Sequence, residues 1–320
     1  DMFPKNCIYM RWNYDMPETP GNAKAMKWFT ENGFQVMGAT AGQTRWNLMP
    51  LDQSNVKNIR DFAKSSIANE TKGLLLTLWD DDSPHFELYQ RGIAMFAEYT
   101  WSGDQRPTSE IQSAFRQVTF GSELATEQFA FIDLLEGPVA FWKNSLLDGG
   151  DRNQLRAMKN PIEQALISLP NPDSVGLWSE KYASRVAKAE ENLVQVNDVL
   201  QRISEAKKLA KRNEYTLEVY EQVAQAVQFS NRALIILAEL DEPSGEKKDL
   251  ARQKLKRMAG EWSAIQSNLE KVYGKTRQLN KPSGYLLDQD HHVHLANQAK
   301  NFSDWQFYVE KLFIQKIKNY

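Results

Sequence analysis

The chain has 320 residues, 42% hydrophobic and 25% charged, with a formal net charge of −2. That balance gives no signal of nucleic-acid binding, and no apolar run reaches the roughly 18 residues that span a membrane as a helix. The single cysteine, Cys7, excludes an internal disulfide and a cysteine-based metal cluster, and reads as a small core residue within a strand.

The first hundred residues alternate strand and helix. "NCIYMRWNY" predicts a strand, followed by a helix over "PGNAKAMKWFTENG", where Pro20 suits the first turn and Gly33 the end. "FQVMGAT" predicts a second strand. The helix after it, "SNVKNIRDFAKSS", sets Val56, Ile59 and Phe62 on one face. "GLLLTLW" is a third strand, its unbroken hydrophobicity fitting a parallel strand covered on both faces. Ser83 and Pro84 then read as cap and first turn of "SPHFELYQRGIAMFAEYTW". The alternation predicts an α/β fold with parallel pairing and right-handed crossovers.

After Trp101 the pattern becomes helical, with a boundary at "SGDQRP", giving expected domains 1–104 and 105–320. Tyr182, Val186, Leu193, Val196, Leu200 and Ile203 keep heptad spacing, as do Leu255, Met258, Trp262, Ile265, Leu269 and Val272. Between them lies "YTLEVYEQVAQAVQFSNRALIILAEL", ended by "DEPSGE". Long helices joined by short turns predict an antiparallel helical bundle.

Parallel α/β folds carry reactive residues where strands feed into helices. That rule collects Trp12, Asn13, Tyr14 and Asp15, then Thr40, Gln43 and Trp46, then Trp79, Asp80, Asp81 and Asp82. Aromatic faces beside carboxylates suit a sugar, whose C–H faces stack on indole while its hydroxyls donate to carboxylates. A plainer reading stands beside this one: Asp82 or Ser83 caps the next helix, and Trp12 is packing.

The stretch "GLLLTLWDDD…FELYQRGIAMFAEYTWSGD" resembles the last strand and helix of glycoside hydrolase family 20, the β-N-acetylhexosaminidases. That family ends its strand in Trp-x-Glu and its helix in a phrase like "AEVAWS"; here stand Trp79, Asp81 and "AEYTWS". "FPKNCIYMRWNYD" resembles the sixth strand, and "NGFQVMGATAG" sits where the seventh would be. The resemblance covers about residues 1–104. It implies the last three β/α units of a TIM-type (β/α)8 barrel followed by the helical bundle. It also implies substrate-assisted hydrolysis of terminal β-linked N-acetylhexosamine, without cofactor or metal. Trp12, Tyr14, Trp79 and Asp81 would line the sugar site. The partner would be an N-acetylhexosamine-containing glycan, with neither nucleic acid nor a membrane span involved.

Two departures accompany it. The family's catalytic Asp-Glu pair has no counterpart, since Asp241–Glu242 lies in a turn between bundle helices. No catalytic residue is therefore assigned, and the proton donor is expected upstream. The family's Tyr and Asp after strand seven are replaced by "ATAGQTRW". The start at Asp1, almost inside a strand, reads as an excised or processed chain, which leaves the compartment open, a secreted or periplasmic parent included. The missing barrel half, or another subunit, is then expected to cover the strand edges.

Three further signals carry less. Asp288, Asp290, His291, His292 and His294 cluster, but without a third ligand at metal-binding spacing an exposed loop is the simpler reading. His85, in a first helical turn, reads as structural. "KKLAKR", Lys207–Arg212, ends a helix, where positive charge answers the dipole. The rival to a glycosidase is a non-catalytic carbohydrate-binding or scaffolding protein whose bundle mediates assembly.

Overall fold

The computed structural model describes residues 3–14, 21–42, 48–78, 85–150, 152, 165–279, 307–318 and 320. Contacts divide the chain into two compact units, Asp1–Asp133 with Lys208–Thr216, and Leu134–Lys207 with Leu217–Tyr320.

In the first unit, β1 (Ile8–Trp12), β2 (Gln35–Ala41) and β3 (Gly73–Thr77) form a parallel sheet of order β1-β2-β3. Trp12 lies opposite Ala39, and Ala41 opposite Thr77. Parallel pairing needs long crossovers. They contain α1 (Gly21–Glu31) and α2 (Lys57–Ala68), the latter entered through a π-type turn at Asp52–Val56. A 3-10 turn, Phe86–Tyr89, leads into α3 (Gln90–Ser102), and α4 (Thr108–Phe120) follows Pro107.

The two-residue period of the strands sorts their side chains. Tyr9, Val36 and Leu74 pack with Met26, Phe29 and Phe62 beneath α1 and α2. Leu74 and Leu76 also meet Ile59, Ala63, Met95 and Tyr99. Gly38 permits this closeness, because a Cβ there would lie 2.6 Å from Leu74 Cδ1 and 2.9 Å from Phe62 Cδ1. Ile8, Met10, Trp12 and Leu75 point to the other face and are exposed.

The expected last three units of a (β/α)8 barrel are overturned here. Among the described residues the sheet has three strands and stays open, with edges at β1 and β3. The run "GLLLT" also misled about β3. Leu74 and Leu76 pack under helices while Leu75, between them, is 41% exposed, so one face is not covered. An apolar run fixes neither the number of strands nor closure. Cys7 is exposed just before β1, its Sγ 3.4 Å from the Pro4 carbonyl, and is not a core residue.

The second unit is helical. It takes in most of α5 (Phe131–Trp142), then α6 (Leu177–Lys181), most of α7 (Ala183–Leu209) and of α8 (Glu214–Leu240), α9 (Glu246–Tyr273) and α10 (Tyr308–Lys318). Asn192 meets Asn231 and Lys207 meets Glu221, so α7 and α8 run antiparallel. Lys275 pairs with Glu218, Trp262 packs on Phe229 at 4.8 Å and Lys254 pairs with Glu239 at 2.7 Å, so α8 and α9 do too. Leu217, Val227, Leu234 and Leu237 are among the many buried residues of α8, as expected of a central helix.

The seam on α7 matches the expected one only in part, at Tyr182, Val196 and Ile203. Tyr182, Ala189, Val196 and Ile203 form one buried heptad row and Asn192, Val199 and Ala206 the other. Val186, Leu193 and Leu200 are only half-buried. Counting large apolar residues favoured the wrong row, because small and polar side chains fill much of the seam.

Candidate functional site

The C-terminal ends of the strands gather Trp12, Tyr14, Thr40 and Thr77. Trp12 and Tyr14 meet edge to face, ring centroids 5.7 Å apart. Trp12 is 59% exposed, on the sheet face away from the helices. Tyr14 Oη and Thr77 Oγ1 are 2.7 Å apart, and Thr77 Oγ1 donates to the Thr40 carbonyl at 3.0 Å. A threonine hydroxyl has one proton, so Tyr14 is the donor to Thr77. Thr40 Oγ1 donates in turn to Asn58 Oδ1, both residues being buried. Asn22 Oδ1 accepts from Arg11 Nε at 2.8 Å and from Asn13 Nδ2 at 3.1 Å. These groups tie β1 to β3 and the sheet to α1 and α2.

The structure thus brings together Trp12 and Tyr14 of the expected sugar site. Trp79 and Asp81 lie outside the described residues, as do Asp15, Gln43, Trp46, Asp80, Asp82, Ser83 and Pro84, and Asp288, Asp290 and the histidines 291, 292 and 294. No metal-binding group occurs among the described residues. His85 is fully buried, its Nδ1 3.5 Å from Tyr215 Oη and 4.0 Å from Glu87 Oε2. The basic run ends a helix as expected, α7 closing at Leu209, and it also serves a second one. Arg212 donates to the Gln117 and Val118 carbonyls, Asn213 to that of Thr119, and Lys211 N to that of Phe120, capping α4. Asp241 accepts from Ser179 N at 2.8 Å, which places the sole Asp-Glu pair at the start of α6.

A cluster that sequence reasoning missed lies elsewhere in the first unit. Arg91 Nη2 donates to both Asp52 Oδ2 and Asp133 Oδ1. Gln112 Nε2 reaches the same two oxygens at 3.2 and 3.0 Å. Burial pushes the Asp133 carboxyl upward against the pull of Arg91, and nearby Asp52 adds to the rise. The adjoining void is about 10 Å³, room for one water at most. The arrangement is an electrostatic clamp joining the turn before α2, α3, α4 and the first turn of α5. Its one local signal was Arg91, a charge set in the apolar helix "YQRGIAMF". A larger hollow of about 380 Å³, lined by Ile67, Leu74 and Phe96, includes Gly73 at the start of β3, opposite the strand-end mouth.

No family model and no curated protein matches the chain. Among solved structures, a GH138 enzyme targeting pectin rhamnogalacturonan II aligns at 11% identity with a TM-score of 0.44. The alignment covers 98% of this chain and 44% of that one, so this chain spans less than half its length. Similarity that low carries no argument about activity. The family 20 assignment is therefore corrected, together with hexosaminidase activity and the glycan partner. Among the described residues the sheet is open, and no family model supports the motif resemblance. The expected missing barrel half or covering subunit rested on that assignment and falls with it.

Proposed function

We propose that this chain is a non-catalytic scaffolding module that assembles through its helical unit. One observation carries the reading: α7 bears two heptad seams of different fate. The row Tyr182, Ala189, Val196 and Ile203 is buried, whereas Val186, Leu193 and Leu200 stay half-buried beside Val194, 72% exposed. A half-free apolar row on a 27-residue helix is the geometry of coiled-coil pairing. Arg185, Lys188, Glu190 and Glu191 precede Leu193, and Asp198, Arg202, Glu205 and Lys207 follow it, so opposite charges flank both halves of the row and a second copy of the helix meets no block of like charge. The partner is thus a second copy of the chain.

Sedimentation velocity over a wide concentration range tests this. The expected species is a dimer of the 36.8 kDa chain, and Val194→Lys together with Leu193→Lys should return it to monomer. Val194→Lys alone, at an exposed site, should weaken the dimer without touching the fold. A chain monomeric at every concentration refutes the assembly. Turnover of chromogenic glycosides, N-acetylglucosaminide included, refutes the non-catalytic reading.

A further inference from the structure

The groove between α9 and α10 contains a hollow of about 450 Å³, within the range of small-molecule sites. Its floor is apolar: Leu255 and Ile317 are buried, and Ala259 leaves space that a longer side chain would fill. Tyr320 forms a wall and is 45% exposed. The rim is cationic. Arg252 and Lys256 stand one turn apart on α9, and Lys318 faces them from α10. No aspartate or glutamate is among the lining residues. Arg252 contacts Asp249 at 3.1 Å, but among the described residues Lys256 and Lys318 make no ion pair or hydrogen bond. Lys318 at the end of α10 answers the helix dipole. That account does not reach Lys256, which lies mid-helix.

We infer that this hollow binds a small amphiphilic anion, a medium-chain carboxylate with its tail on the Leu255–Ala259–Ile317 floor and its head between Lys256 and Lys318. Charge and shape select it together. A neutral chain of the same length gains the apolar floor but leaves the cations without a partner. A compact inorganic anion gains the cations alone, in solvent that screens them. The inference is independent of pairing through α7.

Calorimetric titration of the full chain with decanoate, with decanol for comparison, tests it. Decanoate should bind more tightly than decanol, and less tightly as salt is raised. Ala259→Leu should abolish binding by filling the hollow. Lys256→Gln and Lys318→Gln should each weaken it roughly two- to fivefold, the scale of a solvent-exposed charge contact. Circular dichroism establishes that each variant folds. Should Ala259→Leu misfold, Lys256→Glu at an exposed position serves instead and should abolish binding by reversing the charge. No decanoate binding, equal binding of decanol, or binding that survives Ala259→Leu or Lys256→Glu overturns the inference.

Discussion

Removal of Glu310 tests the buried polar core of the helical unit. Its carboxylate is fully buried in the helical unit and accepts from Arg152 Nη1 at 2.9 Å and Nη2 at 2.6 Å. Trp142 Nε1 donates to the same group at 3.0 Å. Arg152 Nε is spent on the Trp142 carbonyl, and the guanidinium sits 3.7 Å from the Trp142 ring centroid. Glu310→Leu would leave the Arg152 cation buried without its counter-ion, a loss of about 3–5 kcal/mol. Adding Arg152→Met removes the stranded charge. The double variant then lacks mainly the acceptor for Trp142, worth about 1 kcal/mol. The second substitution should therefore rescue the first. Urea unfolding, with amide exchange in α8 as a probe local to this unit, measures both because the two units need not melt together. A Glu310→Leu loss below about 1 kcal/mol, or a double variant as damaged as the single, refutes the buried-pair reasoning.

Four further outcomes follow from particular contacts. Leu269→Asp, at a buried seam position of α9, should cost about 3–5 kcal/mol in urea unfolding, whereas Leu200→Asp, half-buried, should cost distinctly less. Gly38→Ala should cost about 1–3 kcal/mol by the same measure, its methyl meeting Leu74 and Phe62. The Arg60 guanidinium holds the Asp104 carboxyl below its usual range, so that stabilisation is present above the unfolded carboxylate pKa and lost as pH falls through the lowered folded one. Urea midpoints of Asp104→Asn across the acid range should show this component missing. Asp133 has the opposite sign: burial raises its carboxyl, so its contribution is full below the unfolded pKa and declines as pH rises through the folded one. Asp133→Asn should thus gain stability relative to the parent chain as pH rises across that window, read from the same midpoints.

What was legible in the sequence was local. The alternation of apolar runs with amphipathic stretches located β1, α1, β2, α2 and β3, because each period is set by neighbours within a few residues. Sheet closure is not of that kind. It depends on how many strands pair, and the three described here pair only with one another. The motif resemblance implied the last units of a barrel, whereas the described strands form an open sheet. In the strand-end group, Tyr14 and Thr77 are 63 residues apart, and the donor order follows from where the threonine proton goes, not from spacing. The Asp52–Arg91–Asp133 clamp spans 39 and 42 residues, and the Arg152–Glu310 pair 158. Only Arg91 betrayed itself, since a cation on an otherwise apolar helix must find an anion once buried. The α7 seam shows a related limit. Heptad spacing marks which rows can be buried, but Ala189 and Asn192 won the interior over Val186 and Leu193. A close helix crossing favours small side chains at the contact, and the larger ones are displaced to its margin. Apolar size is therefore a poor guide to which seam is internal.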